Sequence, residues 1–255
     1  MTDTCALGLF SYNHPKPTPK SFMRFYDLAI DTFKSNNITP TNIAIEGNSY
    51  SGDVRKIDGK EHKKLLASDF EIDAITLISS PPNSENPGFD YQMSISLSHT
   101  PESSETILSF AIDSDILPAN SDAYMTLLDR LLSLHHWDFG FALTEDKKNC
   151  PELHILALSS EHLTEDEQNR IQDWYDSPPT ERVEKIRDVY EINISNDTQL
   201  DQKINNSITL REFIEKSEPC KIWKSKVNDL WIWTVNSSEL PVARLSISGS
   251  QASIT

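Results

Sequence analysis

The chain has 255 residues with 23 Lys and Arg against 39 Asp and Glu, a formal net charge of −16. Such a surface repels nucleic-acid phosphates and anionic lipid, and it favours a basic partner, most readily a protein. A hydrophobic content of 37% supports a packed core and excludes an acidic disordered tail.

Three cysteines, Cys5, Cys150 and Cys220, lie far apart with no Cys-x-x-Cys. This argues against a disulfide framework or zinc knuckle and for a reducing compartment. The first residues, "MTDTCALGLFSY", lack a basic, long-apolar leader pattern. No run approaches the ~18 apolar residues of a membrane span. A cytoplasmic protein is expected.

In chain order, "CALGLFSY" reads as a buried strand that ends in the proline-rich loop "NHPKPTPK". "SFMRFYDLAIDTFKSNN" places Phe22, Phe25, Tyr26, Ala29, Ile30 and Phe33 at helical spacing, with Ser21 as the expected N-cap. "TNIAIEG" is a second strand, "HKKLLASDF" a short helix, and "DAITLISS" a third strand stopped by Pro81-Pro82. "DYQMSISLSHT" and "ETILSFAIDSD" alternate as antiparallel strands with one polar face. "SDAYMTLLDRLLSLHHW" is a helix capped by Ser121 or Asp122. "DFGFAL" and "LHILAL" are expected to pair as a hairpin around "TEDKKNCPE".

Beyond residue 160 the texture changes. Thr164 and Glu167 form a capping box that opens a helix through Trp174 and Tyr175. "DSPPT" breaks the chain, and Thr180 caps a short helix over "ERVEKIRDVY". "ITLREFIEK" is a short amphipathic helix, "KIWKSKVNDLWIWTV" a hairpin turning at Asn228-Asp229, and "SELPVARL" a last helical turn. The pattern gives an α+β fold: a mixed, largely antiparallel sheet with packed helices, plus a smaller helical and hairpin part. The organisation expected is an α+β sheet domain over residues 1–160, with residues 161–255 packed on it.

No phosphate-binding loop is present, since no G-x-G occurs and Gly59-Lys60 is followed by Glu61. "EGNSYSG" has Ser51 where a nucleophile elbow needs glycine. His135, Asp138 and His154 are the metal or acid–base candidates, and they define an alternative reading as a metal-assisted hydrolase. Adjacent His135 and His136 diverge by about 100° on a helix. A corner where histidines cap carbonyls and Trp137 packs is the better expectation. Trp231 and Trp233 share one strand face, and core packing is expected for them and Trp223 rather than stacking on bases.

Between Lys64 and Arg130 the chain has no Lys or Arg. That interval contains Asp113 and Asp115, expected on one strand face, and Asp122. With Glu145 and Asp146 these form the candidate partner-binding surface. No cofactor or metal is expected.

The runs "LGLFSY", "NIAIEGNSYSG", "DAITLISSPP", "LLSLHHWDFGFAL", "IRDVYEINISNDTQL" and "LWIWTV" resemble those of uncharacterised bacterial immunity proteins encoded beside secreted antibacterial toxins of the type VI secretion and Rhs type. The resemblance implies a non-enzymatic protein that binds a cognate toxin, of nuclease or ADP-ribosyltransferase class, and occludes its active site. It carries over no catalytic residue. An adaptor or scaffold without a toxin partner is the other non-enzymatic alternative.

Overall fold

The computed structural model describes residues 3–48, 50–57, 71–81, 84, 90–158, 164–204, 207–218 and 220–254. The segment "HKKLLASDF", expected as a helix, and Ser49 lie outside the described residues.

Eleven strands form one sheet: β1 (Asp3–Tyr12), β2 (Asn42–Gly47), β3 (Tyr50–Ser51), β4 (Arg55–Lys56), β5 (Ile72–Ser79), β6 (Met93–Thr100), β7 (Glu105–Asp113), β8 (Phe139–Asp146), β9 (Ile192–Ser195), β10 (Cys220–Lys224) and β11 (Trp231–Val235). Their order is β10-β11-β9-β8-β1-β7-β6-β5-β2-β3, with β4 also on β2. Every paired strand is antiparallel. The fold is thus α+β, and among the described residues parallel pairing is confined to the isolated bridge between Ile186 and Ser253.

Helices cover both faces at the middle of the sheet. On one face lie α1 (Pro19–Ser35) and α2 (Asp122–Leu132). Phe22, Phe25, Phe33, Leu128 and Leu131 pack there with Leu7, Leu9, Leu97 and Phe110. On the other face, α3 (Pro151–Ile155) and α4 (Glu165–Asp176) bring Ile155 and Trp174 onto Phe10, Phe139 and Phe141. The short helices α5 (Pro179–Glu184), α6 (Asp197–Leu200), α7 (Leu210–Lys216) and α8 (Leu240–Ile247) follow. Leu200, Leu210, Ile214 and Ile247 from this region enclose Trp233 in a third cluster.

The termini follow local chemistry. Thr18, not Ser21, caps α1 and accepts from the Ser21 amide, with Pro19 in the first turn where its missing N–H is harmless. Ser121 caps α2. The Thr164–Glu167 capping box is present. Pro178, rather than Thr180, precedes α5, and no side chain caps it. "SELPVARL" is not one turn but the eight-residue helix α8.

The expected hairpin of "DFGFAL" with "LHILAL" is absent. Cys150 turns left-handed (φ 50°) and Pro151 opens α3, so "LHI" is helical. The free edge of β8 is taken by β9, with Gly140 opposite Ile194 and Ala142 opposite Ile192. Through β9 the hairpin β10–β11 extends the same sheet. Asn228 and Asp229 lie in the loop between those two strands.

Gly140 sits where strands and layers crowd. A Cβ there would lie 2.5 Å from the Gly8 carbonyl oxygen and 2.6 Å from Leu9 Cδ2. Backbone on the central strand cannot yield cheaply. Gly140→Ala is expected to destabilise the fold by about 1–3 kcal/mol, read as a lower denaturant midpoint with an unchanged slope.

Candidate functional site

The two ends of β1 organise two distinct polar sites. At its first residues, Thr4 lies opposite Asp113 of β7 and Glu145 of β8, and Asp3 lies opposite Asp146. The sheet therefore gathers three of the candidate carboxylates, Asp113, Glu145 and Asp146, at one end, beside Asp3.

They are not equivalent. Asp113 is mostly buried and pairs with Lys147 at 3.2 Å. Asp146 caps the turn after β8 through the Lys148 amide and pairs with the Lys148 ammonium at 3.2 Å. Asp115 does not share a strand face with Asp113. β7 ends at Asp113, whose carbonyl accepts from the Ile116 amide, and Asp115 sits exposed in that turn. Asp122 is exposed in the first turn of α2, where a negative charge complements the helix dipole.

Glu145 faces inward, into a cavity of about 20 Å³ lined by His154, Arg187, Asp188, Tyr190 and Arg244 among others. That is room for one water-sized molecule. Three buried polar atoms there have no hydrogen-bond partner: Glu145 Oε2, His154 Nδ1 and Arg187 Nη2. His154 Nε2 lies 3.2 Å from the Tyr190 hydroxyl. Arg187 donates to the His154 carbonyl at 2.6 Å, and Arg244 pairs with Asp188 at 3.2 Å. Burial, then the guanidinium groups of Arg187, Arg244 and Arg170, hold His154 well below the ordinary imidazole range. Burial raises the Glu145 carboxyl to about 7, with Glu167 adding to the shift. Arg187, Tyr190 and Arg244 did not figure among the sequence candidates. Their only signal is that a fully buried Arg requires partners, and burial is not visible in a motif.

At the other end of β1 lies the histidine corner. Asp138 Oδ2 accepts from the Tyr12 amide at 2.7 Å, and its Oδ1 lies 3.2 Å from His14 Nε2. The His14 and His136 rings are 4.2 Å apart. His135 turns away and packs edge-on against Trp137, with ring centroids 5.2 Å apart. Its buried Nε2 has no partner, and burial, with His14 and His136 nearby, lowers its pKa to about 4. α2 stops at Leu132, so neither His135 nor His136 is helical. The helix end is capped by Ser133, whose hydroxyl donates to the Arg130 carbonyl at 2.7 Å, and by Trp137, whose indole donates to the Leu131 carbonyl at 3.2 Å.

The constellation His135, Asp138 and His154 is therefore not assembled. His154 Nδ1 lies 3.8 Å from Glu145 Oε1, at the far end of β8 from Asp138. Seven residues of extended strand separate the two ends by roughly 23 Å. What forms instead is His14, His136 and Asp138, whose ligand atoms all lie within 4.8 Å of one another. His14 was read only as part of a proline-rich loop. A groove of about 640 Å³ runs beside this corner, lined by His136, Asp138, Asn196, Asp229 and Leu230 among others.

The tryptophans divide. Trp233 is buried and donates to Ser195 Oγ at 3.1 Å. Trp231 is half-buried on the same side, bonded to Asp197 and covered by the Arg211 guanidinium at 4.5 Å. Trp223 is exposed on β10.

No protein-family model matches the chain, and no curated protein does. Among solved structures, the Pseudomonas aeruginosa T6SS protein PA0821 has a similar fold, with a TM-score of 0.61 and 9% identity over 98% of this chain and 78% of that one. Among the described residues, no helix is long and apolar enough to cross a membrane.

The raised Glu145 carboxyl has a signed consequence. The folded chain retains a proton that the unfolded chain, near the ordinary value of 4.5, has released. Stability from this group is complete below about pH 4.5 and is lost as pH rises through about 7. Glu145→Gln is expected to gain stability over the native chain progressively from pH 5 to pH 8 in thermal unfolding scans. A difference that does not vary with pH would mean that Glu145 ionises in the fold as it does in water.

Proposed function

We propose that this chain is an immunity protein that binds a secreted antibacterial toxin of basic surface and occludes its active site, acting by binding and not by catalysis. The observation that carries this reading is the net charge of −16 and the exposed carboxylates that express it, although a few cations are drawn inward. Arg187 is buried, and Lys147 and Arg182 are largely covered and face Asp113 and Glu105. Arg170 and Arg244 face Asp188. Other cations, among them Lys20, Lys34, Lys56, Lys148 and Lys226, are exposed, as are Asp90, Glu102, Asp115, Asp122, Asp173 and Asp176. Among the described residues exposed carboxylates outnumber exposed cations, and the accessible surface carries the acidic sign of the −16 net charge. Such a surface accelerates encounter with a basic partner and disfavours acidic ones.

The likeness to a T6SS protein supports the same reading, since toxins and their immunity proteins belong to that setting. The turn after β7 and the first turn of α2 supply the exposed carboxylates of the sequence-derived surface, Asp115 and Asp122. Asp113, Glu145 and Asp146 hold the structure beneath it.

Growth rescue on co-expression with a secreted toxin domain from the neighbouring gene, if the locus encodes one, tests the reading directly. Asp115→Lys with Asp122→Lys is expected to slow toxin association about tenfold at low salt. Raising the salt should shrink the difference as exposed charges are screened. Failure of the native chain to rescue growth, or to bind the toxin at all, would remove the reading.

A further inference from the structure

The histidine corner has the composition and stiffness of a metal site. His14 follows Asn13, which adopts a left-handed conformation (φ 57°) and ties its amide to the Ser104 carbonyl at 3.1 Å. Pro15, Pro17 and Pro19 follow and restrict the loop before any ligand arrives. Asp138 is fixed at three points. Its amide donates to the Phe10 carbonyl at 2.8 Å, its Oδ2 accepts from the Tyr12 amide at 2.7 Å, and its carbonyl accepts from Asn196 Nδ2 at 3.1 Å. One carboxylate oxygen is tied to backbone, and the other is presented to His14.

The separation of His14 Nε2 from Asp138 Oδ1 is 3.2 Å. Two ligands at ~2.0–2.1 Å from a tetrahedral zinc ion stand about 3.3 Å apart. The pair therefore has the spacing of a shared cation as well as that of a hydrogen bond. His136 decides between them. A His–Asp hydrogen bond needs no second imidazole, yet the His136 ring sits 4.2 Å from that of His14. Two imidazoles so placed, with a carboxylate beside their ligand atoms, can present three donors to one divalent cation. His136 is exposed, so its ring is free to rotate into the first coordination sphere.

We infer that His14, His136 and Asp138 form a three-ligand site for a divalent transition-metal ion, with Zn²⁺ the ion best matched by two imidazoles and one carboxylate. Two of the ligands also line the groove. The fourth coordination position is completed there by water or by a donor group from a bound molecule.

Titration of the full chain with Co²⁺ tests the site. A tetrahedral spectrum saturating at one ion per chain is expected, and His136→Ala or His14→Ala should weaken binding at least about tenfold. His136 is exposed, so its replacement leaves the fold intact. In a second measurement, Zn²⁺ should shift the side-chain nitrogen resonances of His14 and His136 and leave those of His99 and His154 unchanged. The absence of a saturable Co²⁺ signal, equal affinity in His136→Ala, or equal shifts at all histidines would reduce the corner to a hydrogen-bonded pair and overturn the assignment.

Discussion

β1 is buried along both faces from its second residue to its last, and the remaining layers are arranged around it. Alternate side chains enter opposite cores, Leu7 and Leu9 on one side and Ala6 and Phe10 on the other. A shift of one residue would exchange the two sets, so the register with β7 and β8 is firmly specified. Gly8 is part of the same constraint. Its missing Cβ is the space taken by Ile155 of α3, whose Cγ2 would lie 2.6 Å away. The strand that fixes the register thus also admits the helix carrying His154. Both polar sites take their position from its ends, the Tyr12 amide holding Asp138 and the Thr4 row aligning Asp113 with Glu145.

The charge distribution shows why linear patterns mislead. The interval without Lys or Arg is partly neutralised by residues from elsewhere in the chain. Lys16 reaches Asp73 at 2.6 Å, Arg182 approaches Glu105 at 3.8 Å, and Lys147 reaches Asp113. Long-range pairing of this kind obeys the same Coulomb law as local pairing but leaves no signature in spacing. The acidic character that reaches solvent depends on which carboxylates the fold leaves over, and Asp115 and Asp122 are two of them.

The larger elements were legible because their signals are local. Helical periodicity marked α1 and α2, alternation marked β6 and β7, and the Thr164–Glu167 pair marked the start of α4. The misread segment, "LHILAL", is a short apolar run for which helix and strand patterns coincide. A left-handed Cys150 followed by Pro151 settled it, and so did the arrival of β9 (Ile192–Ser195) from well beyond the segment in sequence. The candidate sites were half legible. Asp138 was singled out, but its partners came from the neighbouring strand end and the adjacent exposed ring rather than from His135 and His154. Arg187 and Tyr190 contribute through burial, and burial depends on the three-dimensional fold.

An open antiparallel sheet this wide must end somewhere, and its ends are open invitations to neighbours. Among the described residues, β10 forms one margin of the strand order. That short strand carries Lys221 and Lys224 together with the exposed Trp223. Lysines on an edge strand make the approach of a second, like-charged copy unfavourable and discourage continuation of the sheet between molecules. In an otherwise acidic chain, this margin is locally basic. A second sheet joining this margin would have to bring its own strand against those lysines and the exposed indole.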